Sequence, residues 1–134
     1  MNKLPYLLLR LTLGASLFGH GLVRLPKLAA FSQWMVGSFE KAMLPQELVV
    51  LFSYVLPVAE FTIGLLLLLG LFTRTAAVAG CLVMAMLIFG SCLIENWEPI
   101  PSQLLHAVIL IALLQFEASN RYSMDHYLFK NSSL

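Results

Sequence analysis

Four side chains in this sequence carry chemistry into otherwise apolar surroundings: Arg10, His20, Glu60 and His106. Glu60 is the most informative. It is the only charged residue in the 25-residue run Leu48–Phe72. A carboxylate near the centre of such a run costs roughly 2.5–3.5 kcal/mol on membrane-insertion scales unless it is paired, protonated or turned to a polar cavity. Arg10 is the first candidate partner. It lies about 9 Å along the first apolar run from Leu4, and Glu60 lies about 18 Å back from Phe72 at 1.5 Å per helical residue. If the first two runs pack together, the side chains meet, and an Arg10–Glu60 pair is the expected polar core. Such a pair either fixes the register of two helices or leaves a carboxylate able to take a proton or hold a ligand. Pro57, one turn before Glu60, frees the Ser53 carbonyl and makes the neighbourhood more polar.

His20 and His106 form a second constellation, with Arg24 and Trp97 expected at similar depth near the opposite membrane face. Imidazoles, a guanidinium and an aromatic ring together suit the carbonyls of a quinone headgroup. They also suit a plain membrane interface, where polar and aromatic residues gather. No HxxxH or HxxE spacing is present, so no metal site is expected. Cys81 and Cys92 are eleven residues apart, about 16 Å on one helix, too far for a disulfide. No CxxC motif supports a dithiol enzyme.

The elements that must position these groups follow from composition. Of 134 residues, 60% are hydrophobic and 11% charged, against about 25% charged in an average soluble domain. Mean hydropathy is +0.86. The expected fold is all-α: a four-transmembrane-helix bundle forming one domain over residues 1–134. The spans are read at Leu4–Val23, Leu48–Phe72, Thr75–Ile94 and Ile100–Phe116. Between the first two, Phe31, Trp34, Met35 and Phe39 recur at helical spacing among polar residues, which predicts an interfacial amphipathic helix. That helix serves as a structural lid or as a docking surface. Met1-Asn2-Lys3 and the run after it superficially resemble a signal peptide. No small-residue cleavage site follows, so the segment is expected to remain as the first span. Lys3, Arg74, Arg121 and Lys130 on the terminal side outnumber Arg24, Lys27 and Lys41 opposite, which favours both termini inside. A net charge of +1 with no basic cluster argues against a nucleic-acid partner. After the last span, Arg121 and Asp125 stand at i,i+4 and are expected to pair on a short helix, with Ser123 as an alternative turn cap.

The ordered motifs resemble a known family. Leu9-Arg10-Leu11 with Gly14, Phe18, His20-Gly21 and Lys27, then Pro57-Val-Ala-Glu60 with Gly64, then Leu68-Leu69-Gly70-Leu71-Phe72-Thr73-Arg74, and finally Arg121-Tyr122-Ser123-Met124-Asp125 are similar to the signatures of DoxX-family membrane proteins. The resemblance implies a four-helix integral protein of a bacterial cytoplasmic membrane. Relatives include a small subunit of a thiosulfate:quinone oxidoreductase. It marks Arg10, His20, Gly21, Glu60, Gly64, Gly70, Arg74, Tyr122, Ser123 and Asp125 as family positions. Two departures stand out. Ala118-Ser119-Asn120 replaces the glycines usual before the closing motif, and Ser102 or Gln103 stands where an acidic residue often opens the fourth helix.

The expected function is a membrane subunit of a quinone- or thiol-linked redox system, a non-autonomous part rather than a complete enzyme. It would bind quinone or anchor a soluble oxidoreductase. No covalently attached cofactor is expected; quinone is the candidate ligand. The partners this reading admits are the bilayer, an oxidoreductase and further copies of the chain. A non-catalytic scaffold is the alternative, and a small proton-coupled carrier is a third reading. Glu60 is the candidate catalytic group, Arg10 and Glu60 the polar core, and His20, Arg24, His106 and Trp97 the candidate pocket.

Overall fold

Long apolar segments become helices because a backbone in lipid must satisfy its own hydrogen bonds. The computed structural model describes residues 1–130. Its helices are α1 (Lys3–Arg24), α2 (Leu28–Ser38), α3 (Gln46–Leu69), α4 (Thr73–Leu93), α5 (Ile100–Gln115) and the short α6 (Met124–Phe129). Among the described residues, three helical stretches are long and apolar enough to cross a membrane. They are Lys3–Ser38 taken through its internal turn, Gln46–Leu69 and Thr73–Leu93. The fourth apolar helix, α5, is shorter at 16 residues, about 24 Å.

Punctuation follows the sequence. Pro26 sits in the single 3-10 turn Leu25–Lys27 that divides α1 from α2; a proline has no amide to continue the α-helical ladder. Gly70 ends α3 at φ +67°, a left-handed conformation that glycine adopts without Cβ strain. Pro99 and Pro101 lie at the start of α5, where the amides they lack would be unpaired anyway.

The α1–α3 seam sets the bundle. A Cβ on Gly21 would lie 2.6 Å from Phe61 Cα, and one on Gly64 would lie 2.6 Å from Phe18 Cα. The two helices therefore touch backbone to backbone, with the Phe18 and Phe61 rings 4.9 Å apart beside them. Such close approach is how small residues hold helices together in lipid. The register descends steadily along α3. Gly14 faces Leu68, Gly21 faces Phe61, Arg24 reaches Glu60, and the Ser32 and Ser53 hydroxyls are 2.7 Å apart. Thus α1 and α2 in succession run antiparallel along α3, and α2 covers its N-terminal half. On the other side α4 packs on α5, with Leu110 lying over Gly80. Leu17, Leu56, Leu67, Ala77 and Leu110 are buried between the helices, while Leu8, Leu51, Leu82, Phe89 and Leu105 face outward. That outward apolar surface suits lipid as its solvent.

Candidate functional site

Two groups of polar side chains sit inside this bundle. The first lines a cleft of about 240 Å³ walled by α1 to α5. Arg24, the last residue of α1, donates from Nη1 to Glu60 Oε2 at 2.6 Å. The Glu60 side chain is 5% exposed and that of Arg24 is 29% exposed, so the carboxylate is the deeper partner. The Arg24 guanidinium also lies 4.8 Å from the centre of the Phe31 ring of α2, a favourable cation–π placement.

The two histidines face the same cleft, with ring centres 6.3 Å apart. Each ring is held by its own helix. His20 Nδ1 lies 2.7 Å from the Ser16 carbonyl, and His106 Nδ1 lies 2.8 Å from the Ser102 carbonyl. A carbonyl only accepts, so in both rings Nδ1 carries the hydrogen and the neutral ring presents Nε2 as an acceptor. His106 Nε2 then receives the Ser16 hydroxyl at 2.8 Å. Gln103 completes this wall. Its amide nitrogen reaches Ser91 Oγ at 3.5 Å, and its Oε1 is buried with no hydrogen-bond partner. Phe31, Trp34 and Met35 of α2 close the cleft from above. A second, almost wholly apolar groove of about 440 Å³ adjoins it between α2, α3 and α4. The two share Met35, Phe39, Phe52, Leu56, Met86 and Gly90 as walls.

The second polar group lies at the end of the bundle that holds Met1 and the segment after α5. Arg10, 2% exposed, donates to Asn120 Oδ1 at 2.6 Å and to the Tyr122 carbonyl at 2.7 Å. Its guanidinium packs over Gly70, where a Cβ would also meet Ser123. Asp125 accepts from the backbone amides of Phe72 and Thr73 at 2.6 and 2.8 Å. It thus caps the N-terminus of α4, where a negative charge also meets the positive end of the helix dipole. The Asp125 amide in turn donates to the Gly70 carbonyl at 2.9 Å. Ser123 caps α6 by accepting from the His126 amide. Arg74 pairs with Glu117 at the surface, a contact of little energetic weight. His126, outside the spans, has its pKa lowered by partial desolvation and then by the nearby charges of Arg121, Lys130 and Lys3.

Three expectations are corrected. Arg10 and Glu60 do not pair. The glycine contacts fix α1 against α3 so that Arg10 lies over Gly70, ten residues or about 15 Å along α3 from Glu60. Glu60 takes Arg24 instead. Asp125 does not pair with Arg121, because two free amides at the start of α4 engage both its oxygens. Trp97 is 60% exposed and stands outside the cleft, where Asn96 and Pro99 form that rim. His20, Arg24 and His106 are brought together as a group. Ser16, Ser91 and the open Gln103 acceptor were missed. A clue lay in the repeated Ser-xxx-His spacing, Ser16 to His20 and Ser102 to His106, which sets each ring one helical turn beyond a serine. Among the described residues, no group of three or more His, Cys, Asp and Glu side chains gathers as a metal site. Cys81 and Cys92 are both free.

Comparison with known proteins gives one match. The family model described as DoxX matches residues 6–91. That stretch runs from Tyr6 through the α1–α3 seam and α4 to Ser91, and stops before α5 and the closing segment. No curated protein matches the chain, and neither does any solved structure.

Proposed function

The chain belongs to the DoxX family, and from that premise we propose that it is a multi-pass membrane subunit of a redox system that binds a quinone in the cleft between Arg24–Glu60 and His106. The observation that carries this reading is the junction of two unlike cavities. A small cleft with an ion pair and two imidazoles set in its largely apolar wall opens through shared walls into an apolar groove on the outside of the bundle. That form suits an amphiphile with a hydrogen-bonding ring and a long apolar tail, which a membrane quinone is. Arg24, His20 and Gln103 would hold the headgroup, α2 would cover it, and the tail would leave between α3 and α4. When bound, the quinone supplies the electron and proton carrier that the polypeptide lacks. Glu60 and His20 supply places for protons at the cleft wall, a role that intramembrane carboxylates and imidazoles commonly take.

In this reading α5 completes a fourth span and α2 lies at headgroup depth with Trp34 outward. Both termini lie inside a bacterial cytoplasmic membrane, and a soluble or membrane oxidoreductase is the partner. The test is gentle purification from native membranes followed by mass spectrometry of co-purifying proteins and lipids. Stoichiometric quinone, lost in Glu60→Gln protein that still inserts, is the expected result. Ordinary phospholipid alone, with unchanged turnover in Glu60→Gln, overturns it. A second reading, a scaffold without chemistry, is favoured by one feature: Tyr122, Tyr127, Leu128 and Phe129 are exposed together on the closing segment. Loss of a partner on substituting those residues, with no quinone recovered, would select it.

A further inference from the structure

Resting on the quinone reading, we infer that the cleft is built for the reduced, hydroxyl-bearing form of the ring, a 1,4-dihydroxyaromatic headgroup, in preference to the oxidised quinone. The inference follows from which polar atoms the protein leaves open. Three acceptors are open toward the cleft, one of them deeply buried; Asn96, Ser102 and the remaining N–H groups of Arg24 also line it and can donate. Gln103 Oε1 is buried without a donor. His20 presents Nε2, because the Ser16 carbonyl holds the hydrogen at Nδ1. Glu60 uses Oε2 for Arg24, and among the described residues no protein donor is seen at Oε1. His106 Nε2, the fourth acceptor, is already taken by the Ser16 hydroxyl. Of the donors, Arg24 Nη1 is given to Glu60 and the Gln103 amide nitrogen to Ser91, while other Arg24 N–H groups stay available to a ligand oxygen.

A quinone carbonyl only accepts. It would leave Gln103 Oε1 unmatched where it is buried, and would give nothing to His20 Nε2, on the exposed side of the cleft, or to Glu60 Oε1. A hydroquinone hydroxyl donates to one of these atoms and still accepts from a remaining Arg24 N–H. A site whose buried polar groups need a hydroxyl rejects the analogue lacking it far more strongly than an apolar wall rejects an extra methylene. The proposal concerns binding alone, so no oxidant is invoked.

The test is anaerobic calorimetry on the full chain in phosphatidylcholine nanodiscs. Three probes are compared: a short-chain benzoquinol, the matching benzoquinone, and the dimethyl ether of the quinol, which keeps the ring and both oxygens but donates nothing. The expected result is a quinol affinity about tenfold or more above both others, the effect of one unmet buried acceptor, with that preference reduced in Gln103→Leu. Quinone binding as tightly as quinol overturns the inference and leaves the quinone reading standing. Ether binding as tightly as quinol also overturns it, because the ring and its oxygens would then suffice. If no probe binds, both the inference and the quinone reading fall. Preserved preference in folded Gln103→Leu protein removes Gln103 from the argument and overturns the assignment of the open acceptor.

Discussion

Two arginines begin the comparison. Arg10 and Arg24 sit on the same helix, yet one is sealed at 2% exposure among backbone and amide oxygens and the other stands at the edge of a cleft beside a carboxylate. Around Arg10 the partners close on one another: Gly70 packs beneath it, Asn120 and Tyr122 accept from it, and Asp125 ties the next helix start to the same turn. One atom there stays unpaired, Arg10 Nε, and it is buried in packing. Around Arg24, among the described residues, the buried orphan is Gln103 Oε1, which belongs to a residue that lines a cavity. Polar groups that satisfy one another specify a structure. Polar groups left open beside a void are where a second molecule can add something.

That contrast breaks most completely at the seam both regions depend on. Gly64→Ala and Gly21→Ala each place a methyl within the facing backbone. Each should cost at least about 1–3 kcal/mol of overpacking, seen as loss of monodisperse protein in detergent and failure at both ends of the bundle. Arg10→Met should divide the ends. Removing its charged hydrogen bonds costs roughly 1.5–3 kcal/mol each, read as a lower melting temperature, while ligand binding by the folded fraction stays unchanged. Asp125→Ala should act in the same direction with a cap-sized loss of about 0.5–2 kcal/mol, and amide exchange should rise at Phe72 and Thr73 specifically. Gln103→Leu should do the reverse: stability equal to or slightly above the parent, because an unmet acceptor is removed, with altered ligand preference. Equal loss of stability in Gln103→Leu and Arg10→Met would erase the distinction between the ends.

The smallest effect belongs to His126. Its folded-state pKa lies below the ordinary value of 6.5. The unfolded segment therefore binds a proton more readily, and α6 keeps its full stability above about pH 6.5 and loses some as pH falls through the folded value. His126→Gln should flatten that dependence in the exchange of α6 amides.

Much of the architecture was legible because it is local. Apolar length gave the helices at Lys3–Arg24, Gln46–Leu69, Thr73–Leu93 and Ile100–Gln115 within a few residues. The largest slip, placing the end of α3 at Phe72 rather than Leu69, came from counting Gly70 as apolar run rather than as a left-handed stop. The pairing of charges was less legible. Depth measured from the ends of two spans assumes that the spans start level. The contacts of Gly14, Gly21 and Gly64 decide that offset, and no periodicity reveals it. The first span is read as ending at Val23, yet the helix holds through Arg24 and only then turns. Asp125 acts on residues 52 and 53 positions earlier, a distance over which spacing says nothing.

The Asp125 cap also places a clock on biosynthesis. The turn between α3 and α4 emerges from the ribosome 53 residues before the side chain that caps it. At about 5–20 residues per second the hairpin waits roughly 3–10 seconds with the first amides of α4 uncapped. The order of events is then built into the chain: the seam of α1 and α3 can assemble while synthesis continues, and the terminal end locks only when the last segment arrives. A nascent chain stalled before residue 125 should hold a formed seam and an unlatched hairpin, a state that cleavage or crosslinking on the ribosome can distinguish from the finished protein.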